Sequence, residues 1–388
     1  MLTKWLKKTP VAWLQLTRNK TRFTVALAGI AFADLLIFLQ MGFEASLYES
    51  SITPHKSLQA DLVLVHPKSQ ALISMKPFPR EKLQQSLALS EVDSVSGVAV
   101  ASAGWRNPET RSERQILVWG IDPDRISFDL PAVRDQQRQL QSLNTLLYDQ
   151  AGRSEYGRIA ELWQSGSPVT TELNDKQIRV AGLFSLGASF AADGNVITSH
   201  STFLRLFPER QAKEIEIGLI QLTPEANIDQ VKLQLQSFLS DQVKVLTLEE
   251  FGQTEKKYWE TSTAIGFIFG IGVGMGLIVG IVIVYQILYS DVNDHLPQYA
   301  TLKAMGYTDH SLLFILMQEA TLLALLGFIP GFLLSAGLYE VARLATMLPI
   351  GMTVSRASTV LVMTLMMCLI SGTVAMGKLR SADPADVF

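Results

Sequence analysis

Four apolar blocks constrain this chain more than any other feature. A helix rises about 1.5 Å per residue, so crossing roughly 30 Å of hydrocarbon takes about 20 mostly apolar residues. Residues 23–43, 264–288, 312–338 and 359–376 reach that length. Backbone groups in hydrocarbon have no water to bond, so such blocks are read as membrane helices. The first block has a rival reading. Its basic start, apolar run and Ala31-Phe32-Ala33 triplet have the form of a cleavable signal peptide. The run continues through Leu35, Leu36, Ile37, Phe38 and Leu39, which suits an uncleaved anchor.

Charge is segregated along the chain. Charged residues make up 18% of the 388, below the roughly 25% usual for soluble domains. They are dense between about residues 50 and 260 and sparse in the apolar blocks. A net charge of -3 argues against a nucleic-acid binder. The single cysteine, Cys368, excludes an intrachain disulfide and any zinc site with two or more cysteines. Lys4, Lys7, Lys8, Arg18, Lys20 and Arg22 precede the first span, and Lys378 and Arg380 follow the last. Positive residues stay in the cytoplasm, so both termini are expected there.

The expected order is therefore a cytoplasmic amphipathic helix over 1–20, a first span over 21–47 and an extracytoplasmic domain over 48–259. A second span over 260–290, a cytoplasmic loop over 291–309 and a third span over 310–341 follow. A short outer loop over 342–356, a fourth span over 357–377 and a tail over 378–388 complete the chain. Trp5, Leu6, Trp13 and Leu14 with interspersed lysines suit the headgroup region of the lipid, and equally a plain topogenic tail.

The outer domain reads as α+β. Short β-branched or alternating runs at 61–65, 115–119, 177–181, 215–220 and 243–246 are expected strands. Residues 80–89 and 228–239 are expected helices, the second with Ile228, Val231, Leu235 and Leu239 on one apolar face. The last strand, helix and strand read as a β-α-β unit. The stretch from about 125 to 200, richer in Gln, Ser, Asn and Gly, reads as an inserted lobe. Its histidines, His55, His66 and His200, form no H-E-x-x-H pattern, and no G-x-S-x-G elbow occurs. A docking module is favoured over a hydrolase. Gly372-Thr-Val-Ala-Met-Gly377-Lys378-Leu379 approaches a phosphate-binding loop, but Leu379 stands where Mg²⁺ binding needs Ser or Thr. Nucleotide, with its Mg²⁺, is therefore expected on a separate subunit, and no catalytic, cofactor or metal residue is assigned here.

Within the spans, Gly266, Gly270 and Gly274 form one row of small residues, and Gly272, Gly276 and Gly280 a second. Such rows let helix backbones approach closely. Two rows predict neighbours on two sides, one a span of this chain and the other a second copy. Asp34 and Glu319 are intramembrane acids, which normally face the bundle interior. A polar contact, for Asp34 with Gln40 or a protonated partner, competes with a proton or substrate pathway.

Between the second and third spans, Pro297 suits a first helical turn and Gly306 a helix stop. A short helix exposing Tyr299, Leu302 and Met305 is expected to offer a knob to a partner's groove, or to rest on lipid. Replacing Tyr299 or Leu302 with aspartate would then uncouple a partner without harming insertion.

Ala300-Thr-Leu-Lys-Ala-Met-Gly306, Gln318-Glu-Ala320 and Leu325-Leu-Gly327 resemble the signature of FtsX/MacB-type (type VII) ABC transporter permeases. Tyr299 to Tyr307, Gly327-Phe-Ile-Pro-Gly331, Phe32-Ala-Asp34 and Phe78-Pro-Arg80 resemble the DevC permeases of cyanobacterial exporters, as does the end Ala382-Asp-Pro-Ala-Asp-Val387. The resemblance implies four transmembrane α-helices plus an α+β, MacB-like periplasmic domain inserted between spans 1 and 2. It implies a homodimer in the cyanobacterial inner membrane, a cytoplasmic DevA-like ATPase, a periplasmic DevB-like adaptor and a TolC-like outer-membrane channel. Residues Pro297, Gln298, Tyr299, Leu302, Lys303, Met305 and Gly306 would couple to the ATPase. The cargo would be a glycolipid or another hydrophobic molecule. An FtsX-like scaffold that regulates a periplasmic partner is the alternative, with a membrane enzyme behind it. Leu296-Pro297-Gln298 replaces the charged turn usual in MacB-type permeases, so the resemblance does not carry over the detailed ATPase contacts.

Overall fold

The computed structural model describes residues 13, 16, 18–346 and 348–381; the expected amphipathic helix lies mostly outside them, as does the end of the tail. The chain divides into two units, one of Met1–Ser46 with Ala264–Phe388 and one of Leu47–Thr263.

In the first unit, four helices are long and apolar enough to cross a membrane: Lys20–Lys56, Ile265–Asp294, His310–Thr346 and Val354–Gly377. The first and third outrun their expected ends at 47 and 341. Each continues as helix through polar residues that length and hydropathy could not assign, and Pro54 stands in the last turn of the first.

Small residues sit where these helices cross. A Cβ added at Gly29 would overlap Ile283, and one at Gly327 would overlap Ile30. Gly331 lies against Ala31 and Asp34, and Gly372 against Met317. The first span thus meets the second and third at residues whose missing side chains permit close approach. Hydrogen bonds supplement the packing. The Tyr339 hydroxyl donates to the Phe38 carbonyl, and Ser371 Oγ donates to the Ile281 carbonyl at 2.9 Å.

The second unit is built on β1 (Leu62–Val65), β2 (Phe78–Pro79), β3 (Val92–Arg106), β4 (Glu113–Ile121), β5 (Thr145–Asp149) and β6 (Thr170–Leu173). It continues with β7 (Lys176–Phe184), β8 (Asn195–Ser199), β9 (Glu214–Ile215), β10 (Ile217–Leu222) and β11 (Lys244–Thr247). Nine strands form one sheet in the order β11-β1-β10-β3-β4-β8-β5-β7-β6, and β2 pairs with β9. β6 also pairs with β3, through Trp105↔Leu173 and Arg106↔Glu172. Six strands from β3 to β6 therefore close on themselves and leave no open edge there.

β3 belongs to both halves. Its Val92–Val98 part pairs with β10 and its Ala99–Arg106 part with β4. The lobe expected at 125–200 thus begins inside β3, near residue 99, because β3 runs unbroken through both halves. The β-α-β reading also changes. β1, buried at all four positions, lies between β10 and β11 and is antiparallel to both. β10 and β11 are parallel, joined by helix Ile228–Leu239, but not neighbours. That helix buries Val231, Leu235 and Leu239, while Ile228 is exposed. Alternation gives the sheet two buried faces. Val63, Val98, Leu117, Trp119 and Ile197 share one cluster, and Trp105, Ile116, Val118, Leu146 and Val196 another.

Buried polar groups pin the connections. Asp149 accepts from the N–H groups of Ala151, Leu186 and Gly187 and from Asn195 Nδ2, at 2.9–3.2 Å. Burial raises its carboxyl above the ordinary carboxylate value, and these donors offset part of that shift. Glu255 is 1% exposed and accepts from Trp259 Nε1 and the Leu72 N–H, both at 2.8 Å, with His55 Nε2 3.5 Å away. It ties helix Leu248–Thr261 to the chain after β1. The start of that helix is set by a reciprocal capping box between Thr247 and Glu250.

Glu255→Ala leaves two buried N–H donors without an acceptor, each worth about 1–3 kcal/mol. A loss of roughly 2–4 kcal/mol in the denaturant unfolding of this unit is expected by tryptophan fluorescence, with a smaller loss for Glu255→Gln. Burial, and then the Arg80 guanidinium, push the His200 imidazole from its ordinary 6.5 down to about 4. Neutral His200 therefore contributes stability above about pH 6.5 that is lost as pH falls towards about 4. His200→Gln should move the acid-unfolding midpoint of the purified protein to lower pH.

Candidate functional site

The loop between the second and third spans is built from its caps inward. The helix Ile265–Asp294 ends where His295 Nδ1 approaches the Asp291 carbonyl at 3.0 Å. Asp294 pairs with Arg22 at the start of the first-span helix. A nine-residue helix, Leu296–Ala304, follows with Pro297 in its first turn. Gly306 ends it with φ +95°, and the N–H groups of Gly306 and Tyr307 return to the Lys303 and Leu302 carbonyls at 2.9 and 3.1 Å. That left-handed position favours glycine because a Cβ would be strained there.

The exposure of this helix corrects the expected knob. Tyr299 is only 2% exposed and packs in the cluster of Val292, Leu312 and Leu316; Leu302 is half-buried against the same cluster. Tyr299 and Leu302 hold the helix onto the bundle and offer no free surface. Helical spacing alone could not tell the two faces apart, since both carry apolar residues. The outward side is Pro297, Gln298, Thr301, Met305, Gly306 and Tyr307, with Met305 64% and Tyr307 52% exposed. Lys303 is half-buried. Tyr307 was missed from the sequence; the positive-φ glycine before it is the signal that turns it outward.

The two glycine rows separate. Gly272 lies against Gln40, Gly276 against Ile37, and Gly280 against Ala33 and Met367. Gly270 and Gly274 have no heavy atom within 4 Å of where a Cβ would stand, and Gly266 is half-buried. Exposed Phe267, Ile271, Met275 and Ile278 flank the open row. Asp34 is fully buried and accepts from Thr364 Oγ1 at 2.6 Å. Its hydrogen-bond partner is therefore Thr364 on the fourth span, while Gln40 lies beside Gly272. Glu319 is also fully buried, and Asp291 on the second span is the charged group beside it. Among the described residues, no group of three or more His, Cys, Asp or Glu could hold a metal ion. Gly372 and Gly377 lie within the helix Val354–Ser381, away from any strand-to-helix phosphate loop.

The segment that carries this loop and three of the spans has a known family. Residues 270–384 match the FtsX-like permease C-terminal family. That segment is similar to an FtsX-like permease domain. Solved structures similar to the chain cover about half of it. The periplasmic region of MacB from Actinobacillus actinomycetemcomitans matches at 12% identity and TM-score 0.35, over 50% of this chain and 91% of that one. The extracellular domain of the noncanonic ABC-type transporter YknZ from Gram-positive bacteria matches at 13% identity and TM-score 0.33, over 48% and 99%. A domain of a permease protein from Porphyromonas gingivalis matches at 13% and 0.28, over 50% and 88%. No curated protein matches the chain.

Within the FtsX-like domain, Gly280→Leu should overpack the contact with Ala33 and Met367, at about 1–3 kcal/mol. Gly274→Leu should leave the monomer's stability unchanged. Thermal unfolding in detergent distinguishes them. Tyr299→Asp buries a charge in the bundle and should lower accumulation of folded protein, contrary to the behaviour expected of an exposed knob.

Proposed function

We propose that the chain is a DevC-type permease subunit of a tripartite ABC exporter. A separate cytoplasmic ATPase subunit, DevA-like, binds ATP with Mg²⁺ and hydrolyses it. The FtsX-like domain receives the resulting movement, and the outer unit passes it to a DevB-like periplasmic adaptor that leads to a TolC-like channel. A glycolipid or another hydrophobic molecule is the cargo. Both termini lie in the cytoplasm of a cyanobacterial cell, and the outer unit is periplasmic.

One observation carries the reading. A short helix, clamped from below by Tyr299 and Leu302, and the turn that ends it present Gln298, Met305 and Tyr307 to solvent inside the FtsX-like segment. A rigid, exposed apolar projection of this kind suits a groove on a partner. Four spans with closely packed glycine contacts and buried acids give little room for a water-filled path within one copy, which favours relay of movement over conduction. The open row of Gly270 and Gly274, flanked by exposed apolar residues, supports a second copy as the neighbour on that side.

Met305→Asp with Tyr307→Asp should lower the ATP hydrolysis that the reconstituted complex adds over the isolated ATPase by about tenfold or more, equivalent to about 1.4 kcal/mol of coupling. The variant's thermal unfolding should match that of the native chain. Unchanged stimulation would remove the coupling role from this surface. Co-purification with an ATPase and a cell-wall hydrolase activator, in place of an adaptor, would favour the scaffold reading.

A further inference from the structure

The Phe78-Pro79-Arg80 string has a structural role that the proposed function leaves unused. Phe78 and Pro79 pair with Ile215 and Glu214, and the Arg80 N–H donates to the Lys213 carbonyl at 2.7 Å. Phe78 is 1% exposed and anchors the turn in the core. Arg80 is thereby held over β3, with Nη2 3.5 Å from where a Cβ on Gly97 would stand. Its Nε and Nη2 are buried and, among the described residues, meet no acceptor. No carboxylate forms an ion pair with it among the described residues, although Asp122 lines the same cavity.

Buried donors without acceptors are rare in native structures, and a charged one is the costliest kind. The cavity beside Arg80 measures about 90 Å³ and is also lined by Ser96, Gly97, Asp122 and Arg125. Arg125 is exposed and stands on the turn after β4. A second cavity of about 200 Å³ adjoins it, sharing Val95, Ser96 and Arg125.

We propose that this cleft in the outer unit is a binding site for a carboxylate, clamped between Arg80 and Arg125. Two guanidinium groups suit a planar, bidentate acceptor. Asp122 brings the charge of the three groups to a single positive, which a monoanion neutralises, whereas a phosphate dianion would leave an uncompensated negative charge beside Asp122. A cavity of about 90 Å³ has room for several waters, and so for a carboxylate with its attached carbon. The carboxylate comes from a small free acid or from an acidic side chain on a protein segment, whose backbone the neighbouring cavity can seat with Gln59, Ser94 and Gln221.

The test uses the full-length protein in detergent micelles. Sodium acetate should raise the unfolding temperature of the outer unit beyond sodium chloride at equal ionic strength. Arg80→Gln and Arg125→Gln should each weaken the apparent affinity for acetate by about tenfold or more. Arg125 is exposed, so its variant decides the matter even if Arg80→Gln fails to fold. Acetyl-Gly-Glu-Gly-amide binding more tightly than acetate identifies an acidic side chain as the source, and weaker binding identifies a small acid; either supports the site. Acetate acting no differently from chloride, a native response in the Arg125→Gln protein, or phosphate binding more tightly than acetate would overturn it.

Discussion

Hydrocarbon supplies no hydrogen-bond partner and gives helices no hydrophobic reason to meet, so the membrane unit depends on close backbone packing. The contacts of Gly29, Gly276, Gly280, Gly327 and Gly331 with facing side chains are where that packing is made. Around them, polar side chains find partners on other spans, as Asp34 does with Thr364 and Ser371 with the Ile281 carbonyl. A bundle held this way tolerates larger side chains poorly at its crossings and well on its open faces.

The same packing positions the loop helix. Because Tyr299 and Leu302 insert into the cluster made by the second and third spans, the helix has a defined outward side. The Arg22–Asp294 pair ties the base of this loop to the first span, and Gly306 sets the turn into the third. An exposed surface on a fixed base can transmit movement; one on a loose loop would absorb it. The outer unit obeys a different rule. There water competes for every backbone group, and a sheet closed through β3 and β6 removes the edges at which strands would pair wrongly.

Much of the outer unit was hidden in the sequence for identifiable reasons. β3 is the strand on which both halves depend, yet the Ser, Ala and Gly residues interspersed among its valines dilute its β-propensity and its alternation, and it was not expected to be a strand. β5 and β8 were missed because each is short and lies in a stretch dominated by polar loop signals. The helix Ile228–Leu239 was legible because its apolar residues recur at 3.6-residue spacing. The candidate loop was half legible. Its position, its proline start and its glycine stop follow from local chemistry, whereas the side that faces the bundle depends on residues such as Val292 and Leu312 on other helices.

Sequence by itself determined the number and approximate extent of the spans, the presence of a large α+β domain between the first two, and the residues able to turn or cap the loop. These are local properties: hydropathy over about 20 residues, periodicity over about a dozen, and the steric freedom of glycine and proline. Only the tertiary structure decided which glycine row is filled, which acid meets which partner, that β1 separates β10 from β11, and that two buried nitrogens of Arg80 lack an acceptor beside Asp122 and Arg125. Each of those facts is a relation between residues far apart in the chain. Such relations are set by which surfaces pack together, and no local pattern encodes them.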